Sequence, residues 1–211
     1  MSVVEIETPN GPARAHLHVA EKPSAALVLG HGAGGGVEAV DLVAARDVAL
    51  SLGVSVALVE QPYRVAGRRA PAPARQLDIN WTAVCEHLGA EGLAGVPLIV
   101  GGRSLGARVA CRTAEALEAA AVLCLAFPLQ PPPRKGKQPS PDRLPELDAV
   151  TVPTLVVQGE SDRFGMPPAG KHRTVEVVAG DHGLKKDVEA VAGAVGGWLA
   201  GVVRAPQGAG A

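Results

Sequence analysis

The pentapeptide Gly102-Arg103-Ser104-Leu105-Gly106 has the G-x-S-x-G form in which a serine hydroxyl is presented as a nucleophile. Alone the pattern is weak, because 26 glycines give roughly 0.1 chance matches in a chain of this length. Its setting supplies the specificity. The apolar run Pro97-Leu98-Ile99-Val100 leads into it as a strand, and Leu105–Ala110 leaves it as a helix. A serine in so sharp a turn needs small neighbours, a need met by Gly102 and Gly106. The hydroxyl also needs a base to take its proton and an acid to orient that base, met downstream in the order serine, acid, histidine. His182, in Gly180-Asp181-His182-Gly183, is the candidate base. Asp162, just beyond the apolar strand Thr154–Gly159, is the favoured acid, with Asp181 and Glu160 as rivals.

A second glycine-rich segment, His31-Gly32-Ala33-Gly34-Gly35-Gly36, follows the strand Leu27-Val28-Leu29-Gly30. Glycines let backbone approach a reacting carbonyl, so the N–H groups of Ala33 and Leu105 are candidate oxyanion donors. Gly32 and Gly34 shape that loop, and His31 is expected to brace it rather than carry protons. The segment fails as a phosphate loop. It lacks the third glycine of G-x-G-x-x-G, and no Lys-Ser/Thr follows.

These residues must be held by a common scaffold. The chain opens with period-two alternation, Val4/Ile6 against Glu5/Glu7 and Ala15/Leu17/Val19 against His16/His18, around Asn10-Gly11. That pattern predicts an antiparallel hairpin. Fully apolar runs follow at Ala25–Gly30, Val54–Glu60, Val96–Gly101, Ala121–Phe127, Thr154–Gly159 and Thr174–Val178. Helical stretches alternate with them at Glu38–Leu52, Ala74–Gly89, Leu105–Glu118 and Lys186–Val203. The alternation predicts an α/β fold with a mostly parallel, doubly wound sheet. In such sheets, loops at the carboxyl ends of the strands converge on one edge, where sites form. Two stretches rich in proline and basic residues, 61–74 and 130–152, resist the pattern, and 128–152 is read as a loop able to serve as a lid. Residues 1–204 are expected to form one domain, and 205–211 a disordered tail.

Composition narrows the partners. Aromatic residues are 2% of the chain, leaving little surface for stacking nucleobases, and the net charge of −1 gives no pull towards nucleic acid or an anionic membrane. Cys85, Cys111 and Cys124 lie in apolar settings without metal-ligand spacing and read as buried hydrophobes. His16 and His18 share a strand face but lack a third ligand. His87 and His172 read as solvated, and Trp81 and Trp198 as core. The N-terminus lacks the features of a signal peptide, and no apolar run could span a bilayer, so the expected location is the cytoplasm.

Taken together, the motifs resemble the α/β-hydrolase superfamily. More narrowly they resemble its small dienelactone-hydrolase-like members, including the testis-expressed and KAT8-complex-associated branch and its bacterial relatives. The resembling segments are His31–Gly35, Gly101–Arg108, Phe127–Pro132, Pro153–Gly159 with Asp162–Gly165, and Gly180–Lys185. The resemblance implies an α/β-hydrolase fold, an acid at Asp162 and a base at His182; residues 128–152 are too few for a large cap domain, which favours a small substrate. The sequence departs from that branch at Gln130-Pro131-Pro132-Pro133, in place of His-Pro-Pro-Gly, and at Arg163, in place of proline. Dienelactone hydrolases proper use a cysteine where Ser104 stands, so their substrate does not carry over. The expected activity is hydrolysis of a small ester or thioester through an acyl-enzyme, with no metal and no cofactor. Two alternatives stand beside it: a non-catalytic interaction protein on the same fold, and acyl transfer or perhydrolysis through the same triad. Monomer and homodimer are left open.

Overall fold

The structure is a computed structural model and describes residues 1–131 and 140–204. Its centre is an eight-stranded sheet in the order β1-β2-β4-β3-β5-β6-β7-β8. The strands are β1 (Ser2–Ile6), β2 (Ala13–His18), β3 (Ala25–Gly30), β4 (Val54–Glu60), β5 (Leu98–Arg103), β6 (Ala121–Leu125), β7 (Thr154–Gly159) and β8 (Arg173–Val178). The first two are antiparallel to each other and β2 is antiparallel to β4; the others are parallel. This is the mixed, mostly parallel sheet that the sequence pattern implies.

The helices are α1 (Val40–Ser51), α2 (Pro62–Val65), α3 (Ala74–Ala90), α4 (Leu105–Thr113), α5 (Leu144–Asp148) and α6 (Val188–Arg204). Helices α1 and α6 cover one face of the sheet, where Leu42, Ala45, Val191, Val195 and Leu199 meet Leu27, Leu29, Ile99, Leu123 and Val157. Helices α3, α4 and α5 cover the other, where Leu77, Trp81, Val109 and Leu147 meet Val28, Val100, Val122 and Val156. Successive side chains of a strand point to opposite faces, and here both faces are buried, so the central strands are mostly apolar, with Ser55 and Gln158 as buried polar exceptions.

Several boundaries differ from those expected. Strand β5 runs on to Arg103 because Gly102 and Arg103 still pair with Cys124 and Leu125. Strand β6 stops at Leu125, where Ala126 turns to φ 50°. The regular part of α4 ends at Thr113, and the chain closes its last turns to Glu118 at φ 48°. Helix α6 starts at Val188 because Asp187 Oδ1 accepts the Ala190 N–H at 2.9 Å. Val19 lies past the end of β2 and is 59% exposed rather than facing the core with Ala15 and Leu17. The stretches expected to be irregular contain the short helices α2 and α5. Residues 132–139 of the expected lid and the tail at 205–211 lie outside the described residues.

Strand β3 sits between β4 and β5, and the connections after β3 and β5 leave to opposite faces, through α1 and α4 respectively. A crevice opens at such a switch point, at the carboxyl ends of the strands. Among the described residues no helix is long and apolar enough to cross a membrane.

Candidate active site

Ser104 occupies the turn between β5 and α4 at φ 52°, ψ −104°. That backbone region is disfavoured for a residue with a Cβ, at about 1–3 kcal/mol, and persists only where its surroundings enforce it. Enforcement comes from the tight approach of α4 to β3. A Cβ on Gly106 would stand 2.5 Å from the carbonyl carbon of Gly30 and overlap its oxygen, and one on Gly102 would meet the same oxygen. The Ser104 N–H donates to the Leu125 carbonyl at 2.9 Å, which fixes the turn against β6.

His182 lies in the loop after β8, and its Nε2 stands 2.9 Å from Ser104 Oγ. Its Nδ1 is 2.8 Å from Asp162 Oδ2, and the Asp162 side chain is fully buried. Two donors hold that carboxylate in place: the Phe164 N–H at 2.9 Å to Oδ1 and the Gln158 amide at 2.8 Å to Oδ2. The Phe164 ring packs against the imidazole, with centroids 4.3 Å apart. The three residues named from sequence thus meet at one rim of the sheet. The two rival acids stand elsewhere. Asp181 is exposed and its Oδ1 accepts the Gly183 N–H, while Glu160 is on the surface beside Lys186.

His31 is buried (2% exposed), and both ring nitrogens are engaged. Nδ1 donates to the Gly32 carbonyl at 2.8 Å, and Nε2 accepts the Gln61 N–H at 3.2 Å. That arrangement suits the neutral imidazole, and burial holds its pKa below the ordinary value. The Gly35 N–H also donates to the Gly32 carbonyl, and the Tyr63 hydroxyl donates to the Ala33 carbonyl at 3.1 Å. Burial pushes the Tyr63 phenol up to about 12, so it stays a donor. Among the described residues, neither the Ala33 nor the Leu105 N–H donates to a protein acceptor. Ala33, Gly34, Ser104, Phe164 and His182 border an open cleft of about 500 Å³.

Three further residues shape the site: Gln158, Arg103 and Asp41. Gln158 is a polar side chain in an otherwise apolar strand, a signal visible in the sequence. Arg103 and Asp41 form an ion pair at 2.9 Å, between residues 62 positions apart and without any motif to link them. Of the other histidines, His172 is exposed as read, whereas His87 is only half-exposed beside Glu91 at 3.6 Å and His16 stands 3.0 Å from Glu60. All three cysteines are buried, with Cys111 and Cys124 Sγ 3.5 Å apart. Trp81 is core as read, whereas Trp198, on α6, is only partly buried, at the margin of the cluster beneath α1 and α6.

Comparison with known proteins agrees with this fold. Residues 23–191 match the family of α/β hydrolase domains, and the chain belongs to that family. No curated protein matches it. Among solved structures it is similar to a serine hydrolase without lid from Xanthomonas campestris, at 20% identity and a TM-score of 0.73, covering 94% of this chain and 93% of that one. Est1E from Butyrivibrio proteoclasticus superposes with a TM-score of 0.75 at 17% identity, covering 96% and 99% of the two chains. A dienelactone hydrolase from Anabaena variabilis does so with a TM-score of 0.74 at 15% identity, covering 95% and 96%. At these identities the likeness is one of fold.

Proposed function

We propose that the chain is a cytoplasmic serine hydrolase that cleaves the ester or thioester of a small acyl group, with Ser104 as nucleophile, His182 as general base and Asp162 as its orienting acid. The observation that carries the reading is the unbroken relay from Ser104 Oγ to His182 Nε2 at 2.9 Å and from Nδ1 to Asp162 Oδ2 at 2.8 Å. The names of structural neighbours, a serine hydrolase and a dienelactone hydrolase, support the same class.

In this reading Ser104 Oγ bonds to the acyl carbon as its proton passes to Nε2, and the carbonyl electron pair moves onto oxygen. Asp162 stabilises the imidazolium and keeps Nδ1 protonated. The oxyanion takes the N–H groups of Ala33 and Leu105, each worth about 2.7–4 kcal/mol of barrier by analogy with other such donors. Collapse breaks the bond to the alkoxide or thiolate, which leaves with the proton from Nε2. Water, deprotonated by the same nitrogen, then releases the acid and restores Ser104. The open cleft of about 500 Å³ around Ser104 suits a small acyl group.

The test is a panel of short-chain p-nitrophenyl esters and acyl-CoA thioesters. We expect turnover of at least one by the wild type, with Ser104→Ala and His182→Ala equally inactive because the triad acts as a unit. Folded wild-type protein that turns over none of the panel, or retains its rate in Ser104→Ala, contradicts the reading.

A further inference from the structure

The ion pair behind the nucleophile links the end of β5, the His182 loop and the start of α1. Arg103 precedes Ser104, and its Nη2 donates to the backbone carbonyl of His182 at 2.9 Å. Its Nε stands 2.9 Å from Asp41 Oδ2. Asp41 is the second residue of α1, the helix that follows the glycine-rich loop, and its side chain has no solvent exposure. Its Oδ1 accepts the Leu42 N–H at 3.0 Å. The third corner is Gly32, where a Cβ would sit 2.9 Å from Arg103 Nη1. One guanidinium thus joins the nucleophile's own strand end, the base's loop, the start of α1 and the loop bearing Ala33.

Energetics explain why the arrangement is a rigid one. Burial drives the Asp41 carboxyl pKa up, and the Arg103 charge draws it back down. A buried carboxylate without its cation is costly, so each partner enforces the position of the other. Asp41 Oδ2 lies off the axis of an aligned hydrogen bond. The contact is therefore chiefly one of charge, and it leaves Nη2 free to hold the carbonyl of residue 182.

We propose that Arg103, anchored by Asp41, is a positioning residue that sets the His182 imidazole against Ser104 by clamping the His182 backbone. This rests on the proposed role of Ser104 and His182. The guanidinium reaches the imidazole only through the chain, so its contribution lies in the distance and angle between Nε2 and Oγ. Misplacement of a reacting group by about 1 Å can cost on the order of 10²-fold in rate. Arg103 and Asp41 also line the cleft beside Ser104, so measuring kcat apart from KM separates positioning of the imidazole from contact with substrate.

The experiment measures kcat and KM separately on a short-chain p-nitrophenyl ester for wild type, Arg103→Met, Arg103→Lys and Asp41→Asn, with thermal melting of each. Wild-type turnover that is abolished in Ser104→Ala secures the underlying reading first; its absence refutes that reading rather than the clamp. With turnover in hand, Arg103→Met is expected to lose roughly 10–100-fold in kcat with KM within about twofold. Arg103→Lys keeps a cation for Asp41 but loses the fork that spans both acceptors. It is expected to fold even where the Met variant does not, and to lose on the order of tenfold in kcat. Asp41→Asn frees the guanidinium from its anchor, and its kcat is expected to fall in the same sense. Full kcat in folded Arg103→Lys or Arg103→Met, or a loss carried by KM alone, overturns the proposal.

Discussion

Replacing Gly106 by alanine puts one methyl group between the first turn of α4 and the end of β3. The added Cβ would lie 2.5 Å from the Gly30 carbonyl carbon and 3.0 Å from its Cα, where ordinary contact begins at 3.4 Å. The gap must therefore open by at least about 0.9 Å, and by more at the nearer Gly30 carbonyl oxygen. Both sides are backbone, one of them a central strand paired with β4 and β5, so no flexible side chain can give way. Helix α4 has to move, and Ser104 moves with its N-terminus while His182 stays on β8's loop. A displacement of about 1 Å at the reacting atom predicts a loss of roughly 10²-fold in kcat. The strain of overpacking adds about 1–3 kcal/mol of destabilisation, or roughly 2–12 °C in melting temperature for a protein of this size. Ester hydrolysis and differential scanning calorimetry on purified Gly106→Ala read the two effects. A variant that melts within about 1 °C of wild type with kcat within about twofold would refute the claim that this approach enforces the serine turn.

Other outcomes follow from the same geometry. Asp162→Asn should lose roughly 10⁴-fold in kcat, whereas Asp181→Asn and Glu160→Gln should stay within about twofold in kcat/KM; the reverse ranking would move the acid to the wrong loop. Gln158→Leu strips a donor from Asp162 Oδ2 and from the carbonyls of Phe127 and Gly165, so urea unfolding should report a loss of about 1–3 kcal/mol. Burial holds the His31 pKa below 6.5. Below that ordinary value the unfolded chain binds the proton more readily, so stability is fully present above it and declines as pH falls through the lowered range. Urea midpoints at about pH 5 and about pH 7.5 should therefore differ less in His31→Gln than in wild type; an unchanged difference would show that this imidazole is not the source.

What the sequence reveals and what it hides divide along physical lines. The strands Ala25–Gly30, Val54–Glu60 and Thr154–Gly159 are legible to the residue, because burial on both faces makes each a mostly apolar run, broken inside only by Ser55 and Gln158 and ended by a polar or glycine residue. The ends of β6 and α4 are not, since Ala126 and Glu118 adopt positive φ without being glycine, and no composition marks them. Ser104 is legible from its flanking glycines, and His182 and Asp162 from their places after consecutive strands. The clamp of Asp41 on Arg103 is not legible, because it depends on two elements meeting across 62 residues of chain. Gln158 stands between these cases: its amide in a buried strand demands partners, but only the fold shows that one of them is Asp162.

The central claim is that one hydroxyl in this molecule is activated and the rest are ordinary. Incubation with a fluorophosphonate probe, followed by digestion and mass spectrometry of the adduct, measures this directly. A single adduct on Ser104 is expected, lost in Ser104→Ala and formed much more slowly in His182→Ala. Folded wild-type protein that remains unlabelled, or labelling that persists on another residue when Ser104 is removed, contradicts the claim.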